Sequence, residues 1–164
     1  SMVVEETLEA LREATIDDVG GILSIIRPLE DDGTLVRREP GTVERDIERF
    51  SVIEHDGVIF GCAALFPFPE SSMGEMACVA VNPGAQGQGD GERLLRHIEQ
   101  RARAAGLKRL FVLTTRTMHW FLKRGFVQVT PDELPAQRRG LYDNQRNSQV
   151  LMKDLSSPTK DIAV

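Results

Sequence analysis

The chain has 164 residues, 41% of them hydrophobic and 27% charged, enough to bury a core within one domain. A formal net charge of −5 argues against a broadly basic nucleic-acid surface and leaves room for a local basic site that takes a small anion. No apolar run approaches the roughly 20 residues of a membrane helix, and no secretory signal opens the sequence. Ser1-Met2 reads as a tag remnant before a start codon, so residues 1–10 are set aside as an N-terminal extension. Cys62 and Cys78 fit no metal-ligand or CxxC spacing, and a reducing cytoplasm is the simplest setting for them.

Leu11 to Thr15 reads as a short strand, and Thr15-Ile-Asp-Asp18 as a capping pattern that opens a helix. Val19, Ile22, Leu23 and Ile26 recur at helical spacing, and Pro28 is expected to close that helix. A loop carries Leu35 to Arg38. Pro40 opens a second short helix through about Arg49. Ser51–Glu54 and Val58–Phe66 are expected strands joined at His55-Asp56-Gly57, because Asp-Gly between apolar runs favours a hairpin turn. Residues 67–72 read as a loop. Gly74–Val81, small and apolar, reads as a buried central strand. A glycine-rich loop over 82–90 leads into a helix at Gly91–Ala105, with Leu94, Leu95, Ile98 and Ala102 on one face and Gly106 at its end. Arg109–Thr115 is the next strand, Met118–Arg124 a short helix and Phe126–Thr130 a strand. After a proline-bearing loop, Gln149–Lys153 is the last strand, and 156–164 reads as a disordered tail. The pattern is mixed α/β over 11–155, with antiparallel neighbours and one strand–helix–strand crossover through the glycine-rich loop.

That loop, Gln86-Gly87-Gln88-Gly89-Asp90-Gly91, lies directly between a strand and a helix. Glycines admit positive φ and close approach of an anion, and the helix N-terminus adds unpaired N–H donors. The context favours a pyrophosphate cradle over a plain surface turn. Glu92 and Arg93 follow where a Walker A loop needs Lys and Ser or Thr. The mid-chain position lacks the setting of a dinucleotide-binding first turn.

Gln86, Gly89 and Gly91 match the Gln/Arg-x-x-Gly-x-Gly/Ala loop of the GCN5-related N-acetyltransferase (GNAT) superfamily, which the sequence resembles. The blocks RPLEDDGTLVRR, CAALFPFPE, GEMACVAV, LFVLTTRTMHWFLKRGF and YDNQRNSQVLMKDL are similar to the acetyltransferase domain of bacterial N-acetylglutamate synthases. The resemblance implies a GNAT fold: a central mixed, mostly antiparallel twisted sheet of six to seven strands with helices on both faces. It implies acetyl-CoA as co-substrate, with no metal, and L-glutamate as acceptor. Backbone of Cys78, Val79, Ala80 and Val81 would pair with the pantetheine arm, as in strand addition. Gln86, Gly87, Gln88, Gly89, Asp90, Gly91 and Glu92 would hold the pyrophosphate. It also implies an amino-acid-kinase-like domain before this one in the full-length protein, and a homo-oligomer. On that view the sequence is a fragment of a longer synthase.

Glutamate carries two carboxylates, for which the arginine fork is well suited. The resemblance points to Arg37, with Leu35 and Cys78, for one carboxylate and to Arg146 and Ser148 for the other. A solvated surface charge is the alternative for each arginine. An attacking amine must lose a proton. Glu75, a lone carboxylate in a strand of small and apolar residues, is the candidate base, because an unpaired charge is costly there. An ion pair at a strand end is the alternative. The resemblance has this position act through an ordered water, with the Thr114 hydroxyl nearby. Thr114 could instead be a β-branched residue facing solvent. Many of the superfamily carry a tyrosine where Phe121 stands, which leaves the acid unassigned. Direct transfer in a ternary complex is expected rather than an acyl-Cys78 intermediate. His55, His97 and His119 read as a turn residue, an exposed helix residue and a neighbour of Trp120. Another amine acceptor on the same fold, or an acyl-CoA-sensing module without catalysis, are the competing functions.

Overall fold

The computed structural model describes residues 9–85, 89–142 and 148–156. Among these residues seven strands are found: β1 (Glu9–Glu13), β2 (Phe50–His55), β3 (Val58–Phe68), β4 (Met73–Val81), β5 (Arg109–Thr114), β6 (Val127–Val129) and β7 (Gln149–Asp154). The helices are α1 (Val19–Asp31), α2 (Pro40–Arg45), α3 (Asp90–Ala104), α4 (Met118–Leu122) and α5 (Ala136–Arg139). The strands form one sheet in the order β1-β2-β3-β4-β5-β7-β6. The pairs β1/β2, β2/β3, β5/β7 and β6/β7 are antiparallel, whereas β4 and β5 are parallel. A mixed, mostly antiparallel sheet with one crossover is therefore observed as expected.

Two compact units divide the chain: Ser1–Ala64 with Cys78–Ile98, and Leu65–Ala77 with Glu99–Val164. In the first, α1 sets Ile22 and Ile26 inward, and both are buried. Pro28 lies inside α1 rather than closing it. A proline near the last turn forfeits one backbone bond and the helix continues past it, with the Asp32 N–H bonded to the Pro28 carbonyl at 3.1 Å. The β2–β3 hairpin turns at Asp56 (φ 48°) and Gly57 (φ 83°), a two-residue left-handed turn that matches strand twist. His55 is the last residue of β2, with its ring edge-on to Phe60.

In the second unit, residues 67–72 depart from the expected loop. β3 continues to Phe68 and a 3-10 turn follows at Pro69–Ser71. Phe68 packs against a buried cluster of Met73, Phe111, Leu134, Val150 and Met152, which holds the strand end in place. The expected proline-bearing loop contains a 3-10 turn at Pro131–Glu133 and the short helix α5. Lys153 donates to Glu99 at 2.8 Å, and the Glu99 side chain is buried. A buried carboxylate of this kind is tolerated because its partner is present.

Candidate active site

Within the first unit, the segment around Arg37 is held by a buried acid. Glu30 follows Ile22 and Ile26 on the inward face of α1 and is itself buried. Its carboxylate accepts Arg27 Nη1 at 2.5 Å and the Arg38 backbone N–H at 2.7 Å. Arg27 also donates to the Arg38 carbonyl at 2.8 Å, and the Leu35 N–H reaches the Leu29 carbonyl at 2.9 Å. The loop of Leu35 to Arg38 is thus fixed at both ends to α1. The Arg37 side chain is 58% exposed and pairs with Asp31 at 2.5 Å.

β4 carries a left-handed residue at Cys78 (φ 55°), which is not glycine. Such a conformation costs about 1–2 kcal/mol and re-aims the flanking amides out of the regular pleat. The Cys62 thiol donates to the Cys78 carbonyl at 3.2 Å. Neither cysteine forms a disulfide, and both are buried. Burial, and then the neighbouring Cys78, push the Cys62 thiol well above its ordinary range, away from a nucleophilic thiolate. Cys78 is 6% exposed, while Val79 and Val81 alternate with buried Ala80.

The glycine-rich loop begins with a 3-10 turn at Pro83–Ala85, where Asn82 Oδ1 accepts the Gly84 N–H at 2.9 Å. Gln86, Gly87 and Gln88 lie outside the described residues. Gly89 is left-handed (φ 81°), and its carbonyl accepts the Arg93 N–H at 3.0 Å as the helix starts. α3 begins at Asp90, one residue before the expected Gly91. The two acids of its first turn are each met by an arginine: Arg93 reaches Asp90 at 3.4 Å and Arg96 reaches Glu92 at 3.1 Å. Arg93 also pairs with Glu9. Among the described residues, Glu9, His55 and Asp90 each bring one ligand-type atom within 4.8 Å of the others. The Arg93 guanidinium already supplies positive charge to both carboxylates. His97 is not simply exposed, since it contacts Glu13 at 2.8 Å. A cleft of this unit lined by Asp17, Ser24, Val58 and Asn82 contains none of the expected site residues.

In the second unit, Glu75 is buried on β4, whose parallel register with β5 runs from Met73↔Arg109 to Glu75↔Phe111. The structure shows the ion pair that stood as the alternative reading of this carboxylate. Arg138 of α5 donates to it through Nε at 2.8 Å and Nη2 at 3.4 Å. Arg138 lies 63 residues away in a polar run, so no local pattern could have announced it. Glu30 did leave a signal, an acid spaced four residues after Ile26 on an apolar face. Thr114 is buried rather than solvent-facing. Its hydroxyl lies 2.7 Å from that of Thr117 and accepts the Thr117 N–H at 3.0 Å, so it shapes the turn into α4. Thr114 pairs with Gln149, which puts Thr114 and Ser148 at the same end of the β5/β7 pair. Ser148 is buried, and its carbonyl accepts the Tyr142 hydroxyl at 2.5 Å. Arg146 lies outside the described residues. Phe121 is buried against Trp120 and Phe126 and has no proton to give. His119 opens no chemistry beyond its place in α4 beside Trp120.

The central strand β4, with its left-handed residue at Cys78, leads through a glycine-bearing loop into α3, and the chain then crosses to the parallel strand β5. The sequence profile described as the acetyltransferase (GNAT) family matches residues 10–126, and the chain belongs to that family. Among particular relatives, it is 68% identical over 155 residues to an amino-acid acetyltransferase of Ralstonia nicotianae, covering 94% of this chain and 34% of the relative. It superposes with a TM-score of 0.87 and 47% identity on N-acetylglutamate synthase from Neisseria gonorrhoeae complexed with coenzyme A and N-acetyl-glutamate, covering 93% of this chain and 36% of that one. The Mycobacterium tuberculosis protein Rv2747, in complex with CoA and NLQ, matches with a TM-score of 0.74 and 25% identity over 88% of this chain and 98% of that chain. The chain spans about a third of the length of the curated relatives it matches. No helix among the described residues is long and apolar enough to cross a membrane.

Proposed function

We propose that this chain transfers acetyl from acetyl-CoA to the α-amino group of L-glutamate. The observation that carries this reading is the 47% identity, over 93% of the chain, to a synthase whose structure holds coenzyme A and N-acetyl-glutamate. The pantetheine arm pairs with backbone of Cys78 to Val81. The pyrophosphate sits on the loop from Gln86 to Glu92, over the N-terminus of α3. One substrate carboxylate is taken by Arg37 with the backbone of Leu35 and Cys78, the other by Arg146 and Ser148. The pinned loop behind Arg37 supports the first clamp, since a guanidinium on a fixed backbone loses less entropy on binding.

In the reaction the glutamate nitrogen attacks the thioester carbonyl carbon within a ternary complex. A backbone N–H of β4 near Cys78 polarises that carbonyl. The carbon–sulfur bond then breaks and CoA leaves as a thiolate. Glu75 takes the amine proton, through a water, with Thr114 nearby. With phenylalanine at 121, the thiolate departs without a side-chain acid from that position.

Arg37→Ala and Arg146→Ala test the clamps. Each variant raises the glutamate KM far more than the acetyl-CoA KM, with a loss of about 2–4 kcal/mol in kcat/KM from a charged partner left unpaired. Normal glutamate kinetics in both variants would remove the assignment.

A further inference from the structure

Arg138 belongs to a strap, Pro131–Tyr142, that is anchored on either side of that residue. Leu134 is buried in the cluster with Met73, Phe111, Val150 and Met152, and Tyr142 packs against the same cluster. The Tyr142 hydroxyl also ties the strap to the Ser148 carbonyl. Between these anchors, α5 is a single turn set by Pro135, whose carbonyl accepts the N–H groups of both Arg138 and Arg139 at 2.9 Å. The strap therefore delivers one guanidinium to one place. The Arg138 side chain is 20% exposed and the Glu75 side chain 11%, so the pair is largely out of water.

The pairing is asymmetric. Glu75 Oε1 receives the short bond from Nε, while Oε2 receives only the 3.4 Å contact. A planar guanidinium with two donors on one carboxylate fixes the plane of that carboxylate. Lysine, a point charge on a flexible stem, holds that plane less firmly. We propose that Arg138 is a positioning residue for acetyl transfer: it locks the Glu75 carboxylate in one orientation and leaves Oε2 to accept the proton. This rests on the reading of Glu75 as the base. Because Tyr142 links the same strap to Ser148, the orientation of the base and the backbone next to the second substrate clamp share one support.

The test is a double-substitution cycle on the chain as it stands, with kcat and both KM values measured for Glu75→Gln, Arg138→Gln and the double variant. Circular dichroism melts confirm folding, and Arg138→Lys runs in parallel as the milder change. Glu75→Gln alone lowers kcat by roughly 10²–10⁴-fold if it is the base. Arg138→Gln lowers kcat by about tenfold or more and moves the glutamate KM by less than about threefold. In the Glu75→Gln background the same substitution changes kcat by less than about twofold, because coupled residues are non-additive. Arg138→Lys recovers part of the loss. If Arg138→Gln costs the same factor in both backgrounds, or acts on the glutamate KM alone, Arg138 holds the strap or the substrate rather than the base, and the inference is overturned. A normal rate for Glu75→Gln by itself overturns the base assignment, and the inference falls with it. The single variant separates that failure from the other.

Discussion

Asp18 shows how one side chain is made to serve several neighbours. Its carboxylate accepts both Arg12 Nη atoms, at 2.8 and 2.9 Å, and the Thr15 N–H at 2.7 Å. The Arg12 hydrogen bonds, outweighing burial, hold the carboxyl below the ordinary value of 3.8. A carboxyl lowered in the folded state stabilises the fold above its unfolded value, and that stabilisation is lost as pH falls through the folded value. Asp18→Asn therefore lowers stability at pH 7 by about 1–3 kcal/mol, the range for charged hydrogen bonds. The difference from the parent shrinks as the pH drops below that ordinary value, and urea melts at pH 7 and pH 3 read it. A difference that stays constant with pH would mean that the charge of Asp18 contributes nothing. The Thr15–Asp18 pattern was legible because its partners are adjacent in sequence. The Arg12 fork and the Arg138–Glu75 pair were not, because each depends on where strands and a strap bring the chain back.

At the scale of elements, α1 and the loop after it form one device. Ile22, Ile26 and Glu30 face inward together, and Glu30 ties the backbone of Arg38 to the helix. Glu30→Ala frees that loop and leaves Arg27 short of its partner. The glutamate KM rises by about tenfold or more while kcat at saturating glutamate stays within about twofold, as expected when only ground-state placement is lost. Steady-state kinetics with glutamate varied at saturating acetyl-CoA gives both numbers, and an unchanged KM would detach the loop from substrate binding. Hairpin β2–β3 could be read from Asp56-Gly57, because glycine marks a left-handed turn. The left-handed turn of the backbone within β4 could not, since the residue there is Cys78 and nothing in the residue type signals it. The register shift between Ile53 and Glu54 is equally silent.

At the scale of the whole molecule, the order of the sheet mixes legible and illegible parts. The parallel β4–β5 neighbours follow from a strand, helix and strand in succession. The insertion of β7 between β5 and β6 does not, because it pairs Arg109 with Asp154 across the length of the second unit. Family-level blocks carried the functional reading further than periodicity did, since they name residue types at fixed positions in a known chemistry. The proposal made here is a reaction between acetyl-CoA and a diacid amine. It is tested most directly by incubating the chain with acetyl-CoA and, separately, L-glutamate, L-glutamine, L-aspartate and a lysine peptide. CoA thiol release is followed, and products are identified by mass spectrometry. The account predicts N-acetylglutamate as product, with kcat/KM for glutamate above that for glutamine by about tenfold or more, the factor that about 1.4 kcal/mol from one charged clamp supplies. Equal or faster release with the lysine peptide, or no release with glutamate at saturating acetyl-CoA, would contradict it.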